Sequence, residues 1–334
     1  MTRIAINGFG RIGRNTFKAG FGREGFDVVA VNDLTDTETL AHLLKHDSSY
    51  HLFGKEVSST KNALMVNGVK IPVFAEKDPE ALPWRKLAVD IVLECTGRFT
   101  DLESASKHIK AGAKRVIMSA PAKGGGVPTY VMGLNHEDAG KKSKVINNAS
   151  CTTNCIAPVM AVIDEAFGIK KALMTTVHAY TADQVLQDGP HKDLRRARSA
   201  AENIVPTTTG AAKAVTEVMT NLKGKFDGLA IRVPVPVSSL SDITIVTKKK
   251  VTIQKVNQAF RNASKQKRWQ NILDVSDEPL VSSDFVGNPY SCIVDLALTN
   301  VIGGDLLKVV AWYDNEWGYS QRLVDMALVV GKNL

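Results

Sequence analysis

The stretch Gly8-Phe9-Gly10-Arg11-Ile12-Gly13 stands directly behind an apolar run, Arg3 to Asn7, and directly before a helix-compatible segment. Three glycines at that spacing, between strand and helix, restrict the chain to the first βα turn of a Rossmann dinucleotide-binding domain. Gly8 allows the tight turn, Gly10 lets the backbone approach a pyrophosphate, and Gly13 lets helix and strand pack closely. The next predicted strand, Asp27 to Val31, leads to Asp33, 20 residues beyond Gly13. A carboxylate there accepts hydrogen bonds from an adenosine ribose and repels a 2′-phosphate, favouring NAD over NADP. The alternative is that Asp33 only caps a helix over Thr35 to Lys45.

Asn67-Gly68 marks a tight hairpin between Leu64-Met65-Val66 and Val69-Lys70-Ile71. Two further strands, Val89 to Glu94 and Arg115 to Met118, bring Thr96, Gly97, Phe99 and Ser119 just past carboxyl ends, where parallel sheets bind ligands. Each of these residues could equally be a turn residue.

The second feature is Asn148-Ala-Ser-Cys-Thr-Thr-Asn-Cys155, after which Ile156, Val159, Met160, Ile163 and Phe167 recur at helical spacing. Cys151 therefore falls at the first turn of a helix, where unpaired N–H groups favour an anion and a thiol is expected to ionise more easily. Pro158 lies inside the pattern and predicts a kink, with the first turn as a separate, bent piece. Alone, Cys151 reads either as a nucleophile or as a small buried hydrophobe. The predicted strand Leu173 to His178 delivers a histidine to the polar loop Tyr180 to Pro206, whose length suggests a functional loop.

Thr207-Thr-Thr209-Gly210 opens a helix over Ala211 to Met219, and its hydroxyls either cap that helix or hold an anion. From Leu229 the pattern turns to strands: Leu229 to Val237, Ile243 to Thr247, Cys292 to Ala297 and Leu307 to Tyr313, with helices Ile253 to Ala263 and Trp317 to Val330. This predicts an α/β chain: a Rossmann domain at the N-terminus followed by an α+β second domain beginning near Cys151. Pro234 and Pro236 suggest that Arg232 sits in an edge or irregular strand, as a solvated side chain or as a bidentate phosphate ligand.

The 334 residues suffice for two domains, and 44% hydrophobic with 23% charged residues is an ordinary globular composition. No apolar run reaches membrane-spanning length and no signal-peptide pattern opens the chain, so a soluble, cytoplasmic protein is expected. Cys95, Cys151, Cys155 and Cys292 have neither zinc-site spacing nor the density of a disulfide scaffold, so no metal site is expected. The net charge of +8 is dispersed apart from His191 to Arg198 and Lys248 to Lys250, and small anionic substrates explain it as well as nucleic acid would.

Asn7-Gly-Phe-Gly-Arg-Ile-Gly-Arg14, Ala149-Ser-Cys-Thr-Thr-Asn154, His178-Ala-Tyr-Thr181 and Tyr313-Asp-Asn-Glu-Trp-Gly-Tyr319 together resemble the phosphorylating glyceraldehyde-3-phosphate dehydrogenase family from end to end. The resemblance implies a Rossmann NAD-binding domain over 1–150 completed by the C-terminal helix 317–334, and an α+β catalytic domain with a mainly antiparallel sheet over 151–316. It also implies a homotetramer in which the loop Tyr180 to Pro206 reaches the neighbouring subunit's cofactor site. It implies NAD-dependent conversion of glyceraldehyde 3-phosphate and inorganic phosphate to 1,3-bisphosphoglycerate, with Cys151 as nucleophile and His178 as its base. It assigns the substrate phosphate to Thr181, Arg196 and Arg232, and inorganic phosphate to Ser150, Thr152, Thr209 and Gly210. Cofactor positions fall on Arg11, Ile12, Asp33, Lys77, Ser119 and Asn315. Erythrose-4-phosphate dehydrogenase shares the first two motifs but tends to lack His-Ala-Tyr-Thr and Thr-Gly-Ala-Ala, and ranks second. An NAD-sensing redox or nucleic-acid-binding protein is the alternative of another class, and it leaves His178 and the paired anion sites without a use.

Overall fold

Six consecutive strands of the first sheet run parallel, in the spatial order Val145–Asn147, Arg115–Met118, Ile91–Glu94, Thr2–Asn7, Phe26–Asn32, Val69–Phe74. In this computed structural model, which describes residues 1–334, that sheet belongs to one unit made of Met1–Ala149 and Ser320–Leu334; Ser150–Tyr319 forms a second. The strand order reverses at Thr2–Asn7, which opens a crevice beyond the carboxyl ends of Thr2–Asn7 and Ile91–Glu94. Ile4, Ile6, Val92, Leu93 and Ile117 are fully buried, the near-continuous apolar pattern of parallel strands covered on both faces. Ala63–Val66 and Val57–Thr60 extend the sheet as antiparallel strands. Asn67 and Gly68 both take positive φ (47° and 77°) in the expected hairpin turn.

The helix after Asp33 begins at Thr37, and its cap is Asp36, which accepts from the Thr39 N–H at 2.8 Å. Asp33 is therefore not the capping residue, and the bland explanation for that carboxylate falls away.

In the second unit the helix Cys151–Phe167 is unbroken through Pro158, contrary to the expected separate first turn. Every residue from Thr152 to Ile163 is buried, so packing on all sides holds the segment helical despite the missing proline N–H. The sheet here has the order Val205–Thr207, Phe226–Val233, Ile169–Ala179, Ser239–Thr247, Leu306–Tyr313, Cys292–Ile302, Leu273–Ser276. Its pairings are antiparallel except Ile169–Ala179 with Phe226–Val233 and Leu273–Ser276 with Cys292–Ile302. The strand carrying Arg232 is internal rather than an edge: Val205–Thr207 covers it, and Pro234 and Pro236 fall after its last residue.

The helices Cys151–Phe167, Ala211–Val218 and Ile253–Ser264 pack on this sheet. Leu173, Leu229, Leu298, Ile302 and Leu306 remain exposed along it. Between Ala179 and Val205 there is no helix or strand, but the loop folds on itself: Ser199 donates from its N–H to Asp188 and from its hydroxyl to the Leu186 carbonyl, both at 2.9 Å. No helix of the chain is long and apolar enough to cross a membrane.

Candidate active site

At the crevice of the first unit, the three glycines carry separable constraints. Gly8 has φ +89°, and a Cβ there would lie 2.7 Å from the Thr96 nitrogen. At Gly13 a Cβ would come within 2.1 Å of the Gly8 carbonyl oxygen. At Gly10 it would meet nothing within 4 Å, so the space in front of that residue is open to a ligand. The helix begins at Arg11, and the N–H groups of Ile12 and Gly13 have no intrahelical acceptor. A cleft of about 500 Å³ opens here, lined among others by Gly8, Gly10, Asp33, Lys77, Thr96 and Phe99. These residues fit a dinucleotide: an open backbone cradle at a helix start and a carboxylate at the end of the second strand.

Asp33 accepts from the Phe9 N–H at 2.7 Å and the Thr35 N–H at 3.0 Å, which fixes its carboxylate at the cleft wall. The Arg11 guanidinium is turned to Asp47 at 2.7 Å, so its contribution to a pyrophosphate is that of a backbone position. The Thr96 hydroxyl donates to Glu94, and Gly97 makes the turn with φ +69°. Burial, reinforced by Glu94, pushes the Cys95 thiol up to about 12, against the opposing pull of Ser119. Asn7 and Asn32 also line the cleft. The sequence reading missed both, although each ends a parallel strand where the crevice rule would have found it.

In the second unit the helix start brings Cys151 Sγ to 3.5 Å from His178 Nε2. Ser150 caps this helix, its hydroxyl accepting from the Thr153 N–H at 3.0 Å. His178 sits at the end of Ile169–Ala179 and is buried. Its Nδ1 lies 2.7 Å from the Ala179 carbonyl and 2.8 Å from Arg232 Nη1. If Nδ1 donates to the carbonyl, Nε2 faces the sulfur as a base; if it accepts from the guanidinium, Nε2–H faces it as a donor.

Burial pushes the Cys151 thiol up, against the pull of Arg232 and the Thr152 N–H, so the expected easier ionisation does not hold for the resting site. The helix-start N–H groups act in the expected direction, but desolvation outweighs them. Burial first and Arg232 second push His178 down to about 3, which keeps the imidazole neutral. The resting pair is a thiol beside a neutral imidazole.

Arg232 Nη1 also donates to Thr181 Oγ1 at 3.1 Å, while its buried Nε has no hydrogen-bond partner. Asp183 joins this pair to the next cation: Thr181 donates to one of its oxygens, and Arg196 reaches the other at 2.6 Å. Asp183, absent from the sequence reading, is a loop residue with no motif to mark it. The Thr152 hydroxyl is buried against the Tyr313 hydroxyl at 2.9 Å, which also bonds Thr176 at 2.8 Å. Thr209 accepts from the Ala211 N–H at 3.1 Å, the capping alternative. Gly210, next to it, is exposed, and a Cβ there would meet nothing within 4 Å. Thr153 Oγ1, 3.5 Å from the Ala211 carbonyl, sets the two helix starts side by side. Asn315 accepts through Oδ1 from the Ser238 N–H at 3.0 Å and the Ser239 hydroxyl at 2.9 Å.

Residues 2–102 match the model of the glyceraldehyde 3-phosphate dehydrogenase NAD binding domain, and residues 150–315 that of the C-terminal domain of the same family. The chain is 54% identical over 329 residues to glyceraldehyde-3-phosphate dehydrogenase of Geobacillus stearothermophilus, covering 98% of each chain. It is 52% identical over 334 residues to the chloroplastic glyceraldehyde-3-phosphate dehydrogenase GAPA1 of Arabidopsis thaliana, covering 99% of this chain and 84% of that one. The Borreliella burgdorferi glyceraldehyde-3-phosphate dehydrogenase is 51% identical over 331 residues, with 97% of this chain and 98% of that one covered. A thiol paired with an imidazole at a helix start, beside a half-buried arginine and in a chain with a dinucleotide cleft, matches what those likenesses say: the chain belongs to the glyceraldehyde 3-phosphate dehydrogenase family.

Proposed function

We propose that this NAD-dependent dehydrogenase oxidises D-glyceraldehyde 3-phosphate through a thioester on Cys151 and releases it as 1,3-bisphosphoglycerate. The observation that carries the residue assignment is the 3.5 Å separation of Cys151 Sγ and His178 Nε2. His178 takes the thiol proton as the sulfur bonds the aldehyde carbon, and the resulting alkoxide is held by His178 Nε2–H and the Cys151 backbone N–H. NAD held in the cleft would supply the acceptor for the hydride that this carbon loses as its carbonyl reforms. A phosphate oxygen then adds to the thioester, the C–S bond breaks, and Cys151 leaves as the thiolate.

Two anion sites serve these steps. Arg232, with its unpartnered Nε, Thr181 and Arg196 take the substrate's phosphate. The adjoining helix starts at Ser150–Thr152 and Thr209–Gly210 take inorganic phosphate. Because the Thr152 hydroxyl is committed to Tyr313, Thr152 contributes its backbone N–H. In the cofactor cleft Gly8, Gly10, Arg11, Ile12 and Gly13 form the pyrophosphate cradle, Asp33 takes the adenosine ribose, Lys77 and Thr96 form the walls, and Gly97 and Ser119 follow the strand ends beside it. Asn315 is assigned to the cofactor through its amide hydrogens, its Oδ1 being held by the Ser238 N–H and the Ser239 hydroxyl.

The exposed sheet residues Leu173, Leu229, Leu298, Ile302 and Leu306, with Leu186, Leu194 and Ile204 on the loop, support a homotetramer in which copies of this chain cover them. Four free thiols suit a reducing compartment, and we place the enzyme in the cytoplasm. The test is NADH absorbance with NAD, phosphate and glyceraldehyde 3-phosphate, repeated with erythrose 4-phosphate. No signal with the triose, or a higher kcat/KM with the tetrose, would overturn the assignment.

A further inference from the structure

Beneath the cofactor cleft lies a buried carboxylate with no lysine or arginine against it. Glu94, 2% exposed, ends the strand Ile91–Glu94, next to Asn7 at the end of Thr2–Asn7. Its Oε2 receives the Asn7 amide at 2.5 Å and faces His108 Nε2 at 3.0 Å. Its Oε1 receives the Thr96 N–H at 2.8 Å and the Thr96 hydroxyl. The direction of each bond is fixed by its neighbours. The Trp84 indole N–H can only donate, and it points at His108 Nδ1 from 3.0 Å, so Nδ1 accepts and Nε2 carries the imidazole hydrogen. The Thr96 hydroxyl accepts from the Arg98 N–H at 3.1 Å, which leaves its own hydrogen for Glu94. Four hydrogens are thus aimed at two oxygens.

The chain of bonds continues outward. Asn7 Oδ1 accepts from Asn32 at 2.7 Å, and Asn32 is clamped to the Glu76 backbone by two bonds of 2.9 Å. Asn7, Asn32, Glu76, Thr96 and Arg98 all line the cleft. The loops that must hold a dinucleotide are therefore tied to one carboxyl group, whose own orientation is set by His108 and, through it, Trp84.

We propose that Glu94 is the positioning residue of the NAD cleft, and that the Trp84–His108 pair locks it in register so that the cleft stands assembled before cofactor arrives. A pre-assembled cleft binds more tightly because apparent affinity scales with the fraction of molecules already competent. Replacing the carboxylate by an amide puts two hydrogens against donors that cannot turn away. The inference rests on reading this cleft as the NAD site.

The experiment uses the full-length protein, with Glu94→Gln and Trp84→Phe variants. NAD binding is measured by titration calorimetry, and initial rates are measured against NAD and against glyceraldehyde 3-phosphate. Loss of this hydrogen-bond set predicts about tenfold weaker NAD binding for Glu94→Gln. Trp84→Phe keeps the ring but removes the N–H that fixes the imidazole, and a smaller loss, roughly threefold, is expected. KM for glyceraldehyde 3-phosphate and the rate of Cys151 alkylation in cofactor-free protein should hold. Unchanged NAD affinity in folded variants overturns the proposal, as does equal worsening of the NAD and triose constants. Should Glu94→Gln fail to fold, Trp84→Phe decides alone. Failure of the unaltered protein to bind NAD would instead break the reading of the cleft.

Discussion

Gly10 and Gly13 are three residues apart in one motif, yet alanine at each should fail differently. At Gly10 the backbone has φ −73° and an added Cβ meets no atom within 4 Å, so the folded chain accommodates it without strain. The unfolded chain loses some freedom and the helix cap becomes slightly poorer, leaving stability within about 1 kcal/mol of the original. The methyl group would occupy the space through which a pyrophosphate reaches the helix-start N–H groups. Each charged hydrogen bond so lost is worth roughly 1.5–3 kcal/mol, about ten- to a hundredfold in Kd. At Gly13 the Cβ would press on the Gly8 carbonyl at 2.1 Å, and main chain cannot yield as a flexible side chain can. Gly13→Ala should therefore lower the melting temperature before cofactor is added, whereas Gly10→Ala should melt normally and bind NAD weakly. Thermal melts with and without NAD, together with calorimetric titration, separate the two. Normal NAD affinity in Gly10→Ala would refute the cradle, and an unshifted melt for Gly13→Ala would refute the steric argument.

Cys151→Ser should abolish oxidation while NAD binding, measured by calorimetry, stays near normal; an active serine enzyme would exclude the covalent route. His178→Asn should slow oxidation by about 10²- to 10⁴-fold, read as kcat from NADH formation. The same variant tests the protonation of the site. His178 is held at about 3 in the folded chain against an ordinary 6.5, so between those values the unfolded state binds the extra proton. Its contribution is fully present above pH 6.5 and is lost as pH falls toward 3, with a slope of at most ~1.4 kcal/mol per pH unit. Urea midpoints of His178→Asn should therefore fall less steeply than wild type from about pH 7 to about pH 4, and parallel curves would contradict the assignment. Asp33→Gly should relax discrimination against NADP, read as the ratio of kcat/KM values, and it also removes the acceptor for the Phe9 and Thr35 N–H groups. An unchanged ratio would remove Asp33 from the ribose.

Where local geometry dictates a residue, the sequence was legible. Gly8, Asn67-Gly68 and the strand ends at Asn7, Glu94 and Met118 follow from backbone constraints that reach over a few residues. Pairings between distant residues carry no such signature. Nothing around Asp183 marks it as the bridge between Thr181 and Arg196. The unbroken helix through Pro158 depends on packing from elsewhere in the unit. The strand Leu273–Ser276 was missed because four residues ending in Asp-Val-Ser give too short an alternation. Of the two alternatives for the Arg232 strand, edge or irregular, the edge position fails because Val205–Thr207 covers it, a strand only three residues long that contains Pro206. The thiol's resting protonation was misjudged because the helix start is visible in sequence and the depth of burial is not.

The most direct test of the account is to trap the intermediate. Full-length protein, NAD and glyceraldehyde 3-phosphate are mixed without inorganic phosphate, quenched in acid and digested for peptide mass measurement. The account predicts a phosphoglyceroyl thioester on the peptide carrying Cys151, formed with a matching burst of NADH and discharged when phosphate is added before the quench. A burst with no adduct on that peptide, or an adduct on Cys95, Cys155 or Cys292 instead, would contradict it.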